Sequence, residues 1–163
     1  MSVFNLAVQA LLTEEGGAYV PNDNGRGPSR WGVTLMTYQA FYPSAVAKDI
    51  FGLTPEEAIA FYRAAYWVFY QLGLIDDQDV ATKMLDLTVN VGRPAICWLQ
   101  NAAGVVEDGM LGPVTAAAVN AMVPQQVLTV VRKAGATYYN NLAVQDPAKY
   151  GPDLAGWLAR LAK

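Results

Sequence analysis

The chain has 163 residues, enough for one domain or for two small lobes that share a core, and its 11 basic and 14 acidic side chains give a net charge of −3. It lacks the basic stripe that binds nucleic acid, so we expect no nucleic-acid partner. The sequence has no histidine and one cysteine, Cys97, which excludes a Ser-His-Asp triad, a His-ligated metal, a cysteine-based zinc cluster and an intrachain disulfide. We therefore expect neither a metal nor an organic cofactor, and any acid–base chemistry falls first to carboxylates.

The first predicted element is a helix whose apolar face repeats every three or four residues, formed by Phe4, Ala7, Val8, Leu11 and Leu12. It stops at Gly16–Gly17, a C-terminal signal. Residues 18–34 are rich in Gly, Pro and Asn and predict a loop, with a short β-hairpin around Tyr19–Val20 and Trp31–Val33. A short helix is expected over residues 34–42.

The next helix has a strong start signal, because Thr54 can cap it, Pro55 suits its first turn and Glu57 can complete a capping box. Its apolar stripe is expected to extend to Phe69, and Gly73 ends it. Five further helices are expected around residues 76–91, 94–103, 113–122, 127–138 and 154–161. The links are short, so we predict a mainly α fold that forms one compact body of two lobes.

Glu14 and Glu15 stand at the carboxyl end of the first helix, where the helix dipole is negative. The dipole and the neighbouring like charge both disfavour ionisation of the Glu15 carboxyl. A carboxyl that keeps its proton near neutral pH is what the general acid of glycoside hydrolysis requires. A pair of solvated carboxylates before a Gly-Gly stop is the simpler interpretation, and the residues alone favour it.

The following loop offers two more polar candidates. Asp23 lies between Asn22 and Asn24 and is a candidate base or water-orienting carboxylate, although Asp-Asn clusters are also ordinary turn formers. Ser29 is a candidate water-orienting hydroxyl on the same loop.

A third group of candidates is substrate-binding. Tyr19, Trp31 and Tyr38 could stack on sugar rings, although such residues are more often part of a core. Asp86 and Asn90 are spaced i, i+4 and share one helix face. That face could form the wall of a cleft. Alternatively, Asp86 and Asn90 form a partly exposed polar pair that supports a loop, and we prefer this second interpretation.

Taken in order, these segments resemble a known family, glycoside hydrolase family 108. Its opening motif, a Glu-Gly-Gly followed by a Gly-rich loop with Asn and Asp and then an aromatic-Gly-Ile/Val-Thr, is similar to "EEGGAYVPNDNGRGPSRWGVT". Its next helix resembles "TPEEAIAFYRAAYW". The peptidoglycan-binding-type region that follows it in many phage and prophage endolysins is similar to "LDLTVNVGRPAICWLQNAAGVVEDGMLGPVT" and "GWLARL".

The resemblance implies a lysozyme-like fold with a muramidase region over residues 1–92 and a helical peptidoglycan-binding-type region over residues 93–163. It implies an N-acetylmuramidase that cuts the MurNAc-GlcNAc β-1,4 bond of bacterial peptidoglycan and lyses the host cell. Glu15 matches the essential glutamate of the family and would be the general acid. The chain departs from the motif by an inserted Ala18 and a shorter loop, so which aspartate of the family Asp23 matches stays open.

Two other functions remain open on the sequence. One is a catalytically weak peptidoglycan-binding or virion structural module of the same fold, which would bind cell walls without cleaving them. The other is a glycosidase that acts on another amino-sugar polymer such as chitin.

The expected site and cell biology follow from the same observations. We expect a groove between residues 18–34 and the helices that carry residues 61–69 and 84–91, with Glu15 at its floor.

The N-terminus has neither a basic leader nor a cleavage site, and no apolar run reaches the roughly 20 residues that span a bilayer. We expect a monomer made in the host cytoplasm without a signal peptide. The resemblance implies release through a holin-type pore, followed by action on the cell wall in the periplasm.

Overall fold

Nine α-helices and one β-hairpin make up the part of the chain that the computed structural model describes, residues 2–163. The helices are α1 (Phe4–Glu15), α2 (Leu35–Gln39), α3 (Ala47–Gly52), α4 (Pro55–Tyr62), α5 (Gln78–Val91), α6 (Arg93–Ala103), α7 (Pro113–Asn120), α8 (Pro124–Gln145) and α9 (Pro147–Ala162). A π-helical segment, Arg63–Val68, continues α4, and a 3₁₀ turn, Leu72–Leu74, precedes α5. The predicted mainly α, lysozyme-like class is confirmed.

The β-hairpin lies in the predicted segment but pairs other residues. Strand β1 (Ser29–Arg30) runs antiparallel to β2 (Val33–Thr34). Tyr19–Val20, predicted as one of its sides, contributes only an isolated bridge from Val20 to β1. The predicted hairpin within residues 18–34 is confirmed, but its predicted pairing was wrong, because Trp31 and Gly32 form the two-residue turn and do not belong to a strand.

Helix α4 begins as the sequence predicts and ends differently. The Thr54 hydroxyl accepts a hydrogen bond from the Glu57 N–H (3.2 Å), and the Glu57 carboxylate accepts one from the Thr54 N–H (2.9 Å), which completes the capping box. After Tyr62 the chain widens into the π-helical segment. A wider turn rotates later side chains away from the 3.6-residue stripe. Phe69, predicted to be buried in that stripe, is therefore 66% exposed.

Helix α5 is the central element of the fold and packs against α1, α6 and α8. The Asp77 carboxylate caps it by accepting a hydrogen bond from the Val80 N–H (2.9 Å). Its buried side chains are Val80, Ala81, Lys83, Met84, Leu85, Leu87 and Thr88. The apolar ones among them belong to one hydrophobic cluster that also holds Leu11 from α1, Ile96 from α6 and Val131 from α8. A single core therefore joins residues 1–92 to the rest of the chain.

Helix α9 lies along α8, and a glycine sets how closely the two helices approach. A β-carbon at Gly135 of α8 would lie 3.0 Å from Cδ1 of Leu161 and 3.5 Å from the Trp98 ring. One turn further along α8, the Tyr139 ring packs on the Trp157 ring, with 5.1 Å between the ring centres. These contacts hold the end of α9 against the core, because Leu161 is buried between the helices.

The segment between α6 and α7 is organised by a buried amide. Gln100 Nε2 donates to Asp108 Oδ1 (2.6 Å) and to the Met110 carbonyl (3.0 Å), and its Oε1 accepts from the Gly109 N–H (2.8 Å). Gly109 has φ +70°, the left-handed conformation that a tight turn requires. The Asp-Gly pair therefore forms the connector turn that the sequence predicts.

Within residues 2–163, no single helix is long and apolar enough to cross a membrane. Helices α7 and α8 reach that length and composition only together, and they meet at a bend of 115°.

We predict that Gly109→Val lowers the free energy of unfolding by about 1–3 kcal/mol, because valine strains a backbone at φ +70° and its side chain would meet Arg93. Gly112→Ala is the control, since Gly112 has φ −99° and open space around its α-carbon. It should stay within about 0.5 kcal/mol of the parent in urea unfolding. Equal losses in both variants would contradict the turn assignment.

A second prediction concerns acid stability. Hydrogen bonds from Gln100 and then from the Met110 N–H lower the pKa of Asp108. The stabilisation is complete above the unfolded-state pKa of about 3.9 and is lost as the pH falls through the lower folded-state pKa. Asp108→Asn should therefore be less stable than the parent near neutral pH, and the gap should narrow below about pH 4. Urea unfolding across this pH range measures the gap, and a pH-independent gap would refute the assignment.

Candidate active site

Glu15 is the last residue of α1, and its side chain is 20% exposed. The Gly16 N–H donates to the Leu12 carbonyl (3.0 Å) and closes the helix, while φ +67° at Gly16 turns the chain away from the helix direction. The carboxylate therefore lies at the negative end of the helix, as the sequence predicts.

The turn of the β-hairpin packs directly on this carboxylate. A β-carbon at Gly32 would lie 2.7 Å from the carboxyl carbon and from Oε2 of Glu15. Gly32 also has φ +74°, which side chains rarely allow. Glycine alone satisfies both conditions, so Gly32 is required where the turn packs on Glu15.

Trp31 has a backbone conformation that bulky residues seldom adopt. Its φ of +55° lies in the left-handed region, at a cost of about 1–3 kcal/mol, and such a residue persists only when its surroundings hold it. Its Nε1 donates to the Leu53 carbonyl (3.1 Å), and its carbonyl accepts from the Tyr62 hydroxyl (2.8 Å). Its ring covers Gly17, where a β-carbon would lie 2.6 Å from ring atom Cζ3. Gly17 thus makes room for the Trp31 ring on the same turn that contacts the carboxylate.

Tyr62 connects this turn to the core. It is 1% exposed. Burial above all, and then the charge of Glu15 and the neighbouring Tyr66, raise the pKa of Tyr62 well above its ordinary value. The phenol therefore stays neutral and keeps donating to the Trp31 carbonyl.

The closest charged partner of Glu15 comes from α9. Arg160 Nη2 lies 2.6 Å from Glu15 Oε1, and Arg160 Nε donates to Asp86 Oδ1 at 2.7 Å. The contact of Nη2 with Glu15 is an ion pair without hydrogen-bond geometry. Burial opposes the charge of the guanidinium, but the two carboxylates outweigh it and raise the pKa of Arg160 above its ordinary value. Arg160 is therefore a permanent cation between two carboxylates.

Asp86 is held on every side of its carboxylate. Lys83 Nζ lies 3.7 Å from Oδ2, and Asn90 Nδ2 donates to Oδ1 at 3.3 Å and to the Asp86 carbonyl at 2.7 Å. Lys83 Nζ also donates to the Arg160 carbonyl (3.2 Å). Burial above all lowers the pKa of Lys83, and Asp86 opposes that shift. The predicted i, i+4 pair of Asp86 and Asn90 is thus a supporting pair, and substrate contact by either residue stays a prediction.

Glu14 has a partner of its own. Lys163 Nζ lies 2.8 Å and 3.0 Å from the two carboxylate oxygens of Glu14. The hydrogen bond from Lys163 is the main cause that lowers the pKa of Glu14. The like charge next to Glu15 is therefore balanced by a lysine that the sequence argument left out.

Asp23 and Ser29, the polar candidates of the loop, lie apart from this network. Asp23 accepts from Asn24 Nδ2 (3.5 Å), and its backbone closes a turn with Gly27 (2.8 Å). Ser29 is 4% exposed within β1. In the described part of the chain, no hydrogen bond or ion pair joins either residue to Glu15. Their roles in orienting water stay predictions.

The three aromatic candidates are half-buried and pack on other rings or on backbone. Tyr19 meets Phe51 edge-on at 5.2 Å between ring centres, and Tyr38 meets Phe61 at 5.3 Å. Burial above all raises the pKa of Tyr38. Trp31 shapes the turn over Glu15. Stacking of these rings on sugar stays a prediction.

A cavity of about 320 Å³ borders the ion network. It lies between α1, α5, α8 and α9, and its charged lining residues are Glu14, Asp79, Lys83, Asp86, Arg132, Arg160 and Lys163. It takes no lining residue from segment 18–34, so it is a different place from the groove expected between that segment and the helices. Over residues 2–163, no group of three or more acidic or cysteine side chains is placed to hold a metal ion.

Arg160, which links Glu15 to Asp86, is not among the residues that the sequence predicts for the site. One signal was present, because Arg160 is a lone cation beside the apolar residues Trp157 and Leu161 of an amphipathic helix. A charged side chain beside the apolar face of a helix either reaches solvent at the edge of that face or pairs with an opposite charge that is partly buried. Its partner lies at the other end of the chain, and periodicity gives no information about such a contact.

Comparisons with known proteins cover nearly the whole chain. Residues 8–92 match the family described as Glycosyl hydrolase 108, and residues 94–162 match the one described as Predicted Peptidoglycan domain. Among solved structures, the chain is similar to the "Structure of Brucella abortus SagA", with 27% identity and a TM-score of 0.81 over 98% of this chain and 89% of that one. No curated protein matches it at a significant level. Together the matches support a hydrolase of cell-wall glycan.

We predict that Gly32→Ala displaces the Glu15 carboxylate and destabilises the fold. The methyl group would lie 2.7 Å from the carboxyl carbon, and overpacking of this kind costs about 1–3 kcal/mol beyond the strain of a positive φ. Thermal and urea unfolding measure the loss.

Gly25→Ala is the matched control for this prediction. Gly25 lies in the same loop with φ +78°, but nothing lies within 4 Å of the position of a β-carbon. It carries the backbone strain without the contact, so it should be clearly more stable than Gly32→Ala. Equal stability of the two variants would show that the contact with Glu15 is unimportant.

Proposed function

The chain belongs to the glycosyl hydrolase 108 family, and on that premise we propose that it hydrolyses the MurNAc-GlcNAc β-1,4 bonds of bacterial peptidoglycan. The observation that carries the proposal is Glu15. It is a partly exposed carboxylate at a helix end, in contact with a strained turn that leaves no room for any side chain at Gly32. Strain of this kind concentrates at functional sites.

The proposed chemistry needs only carboxyl groups and water. Protonated Glu15 donates its proton to the glycosidic oxygen as the bond from that oxygen to the anomeric carbon breaks. The oxocarbenium-like centre is then captured by water, which loses a proton to a base, and Asp23 is the candidate for that base. General acid assistance of this type is worth about 10²–10⁴-fold in rate.

The C-terminal match supports peptidoglycan as the partner of this reaction. Residues 94–162, which match the Predicted Peptidoglycan domain, share the hydrophobic core with the region that carries Glu15. We propose that this part of the chain belongs to the same working unit, with 1–92 as the catalytic region and 93–163 as the region that engages the wall.

The biological setting that we propose is that of a phage-type endolysin. The protein would be a monomer made in the host cytoplasm, released through a holin-type pore and active on the cell wall in the periplasm. Cleavage of the glycan strands there would lyse the host.

The test compares Glu15→Gln with Glu14→Gln on purified bacterial sacculi, with new reducing ends as the readout. Glu15→Gln keeps the shape of the side chain but has no proton to give, so its rate should fall at least about 10²-fold. We expect it to remain folded, with a stability loss on the order of 1 kcal/mol because its partly solvated pair with Arg160 is weakened.

Glu14→Gln is the matched control, because Glu14 pairs with exposed Lys163 and lies beside the proposed acid. It should cleave at close to the parental rate. An inactive but folded Glu14→Gln next to an active Glu15→Gln would show that the acid is the other carboxylate. Sedimentation of the parent protein with sacculi without any new reducing ends would favour the binding module instead.

A further inference from the structure

We infer that Arg160 is a positioning residue for Glu15, and that the C-terminal region thereby completes the active site. This inference rests on the proposed function, since it assigns a partner to the proposed acid. Its basis is a bridge from one guanidinium to two carboxylates, Glu15 Oε1 at 2.6 Å and Asp86 Oδ1 at 2.7 Å. All three side chains are at least three-quarters buried, with 23%, 20% and 16% exposure for Arg160, Glu15 and Asp86.

The shape of the guanidinium is essential to this bridge. Arg160 uses two different nitrogens, Nη2 toward Glu15 and Nε toward Asp86. The planar fork keeps these two nitrogens a fixed distance apart, one in an ion pair with Glu15 and the other in a hydrogen bond to Asp86, whereas lysine has one ammonium on a flexible stem. The bridge therefore fixes the end of α1, which carries Glu15, relative to α5, which carries Asp86.

The far side of the bridge is anchored in the core. Asp86 also meets Lys83 and Asn90, and Lys83 is 7% exposed. Lys83 in turn donates to the Arg160 carbonyl, so it holds both the carboxylate and the backbone of α9. Next along α9, Leu161 packs at the space that Gly135 leaves. Arg160 therefore has little freedom to move away from Glu15.

The bridge also distinguishes the two oxygens of the acid. Oε1 faces the guanidinium, and Oε2 faces Gly32 of the hairpin turn. In the proposed transfer the O–H bond of Glu15 and the bond from the leaving oxygen to the anomeric carbon break, and a bond from hydrogen to the leaving oxygen forms. The carboxylate that results is stabilised by Arg160.

The test measures kcat, KM and the pH–activity profile of Arg160→Ala and Arg160→Lys on soluble peptidoglycan fragments, with Lys163→Ala as control. Lys163 directly follows α9 and pairs with Glu14 rather than Glu15, so its replacement removes a cation near the end of α9 without breaking the bridge. Thermal melts of all four proteins show that each is folded.

For Arg160→Ala we expect kcat to fall by about 10²-fold with KM little changed, the scale expected for a misplaced catalytic group. Its alkaline limb should move to higher pH, because a permanent cation has been removed from the site. Arg160→Lys should restore the alkaline limb while kcat stays low, because it retains the charge but not the fork. Lys163→Ala should match the parent in kcat, because Arg160 keeps both of its carboxylate partners in that variant.

Two results would overturn the inference. One is a folded Arg160→Ala with parental kcat and pH profile, and the other is full restoration of kcat by Arg160→Lys. Should Arg160→Ala fail to fold, Arg160→Lys alone decides, because full kcat in that variant also refutes the bridge. A parent protein that releases no reducing ends refutes the proposed function instead, so the two failures are distinguishable.

Discussion

The contact between the Glu15 carboxyl and the hairpin turn is the constraint on which the rest of the site depends. A β-carbon at Gly32 would lie 2.7 Å from that carboxyl, so the turn cannot carry a side chain there. Trp31 and Gly32 form the two-residue turn and both have positive φ, and the Trp31 ring covers Gly17. The Glu-Gly-Gly and Trp-Gly motifs are thus matched to each other, because each contains a glycine that makes room for a large group of the other motif.

Hydrogen bonds with neighbouring segments offset the backbone strain of that turn. Tyr62 donates to the Trp31 carbonyl and is kept neutral by burial, and Trp31 itself donates to the Leu53 carbonyl. Leu53 lies just before α4, and Tyr62 is the last residue of α4. The strained turn is therefore built on rigid elements, as a site that must hold a carboxyl in one position requires.

Local signals were sufficient to predict much of the fold and little of the site. The capping box at Thr54, the stop after Glu15 and the turn at Gly109 depend on neighbouring residues, so the sequence predicts them correctly. Phe69 was misplaced because a π-helical segment breaks the 3.6-residue period, and no local residue signals that change. Arg160 was missed because its two carboxylate partners lie on other helices, and a contact between distant segments leaves no trace in periodicity.

The proposed reaction cleaves the glycan strand of peptidoglycan only at the MurNAc-GlcNAc β-1,4 bond. Mass spectrometry of the fragments released from purified sacculi tests it most directly, after borohydride reduction to mark each new reducing end. We expect fragments whose reduced sugar is N-acetylmuramic acid, with the attached peptides intact. Fragments that end in reduced N-acetylglucosamine, or peptides released from unbroken glycan, would contradict it.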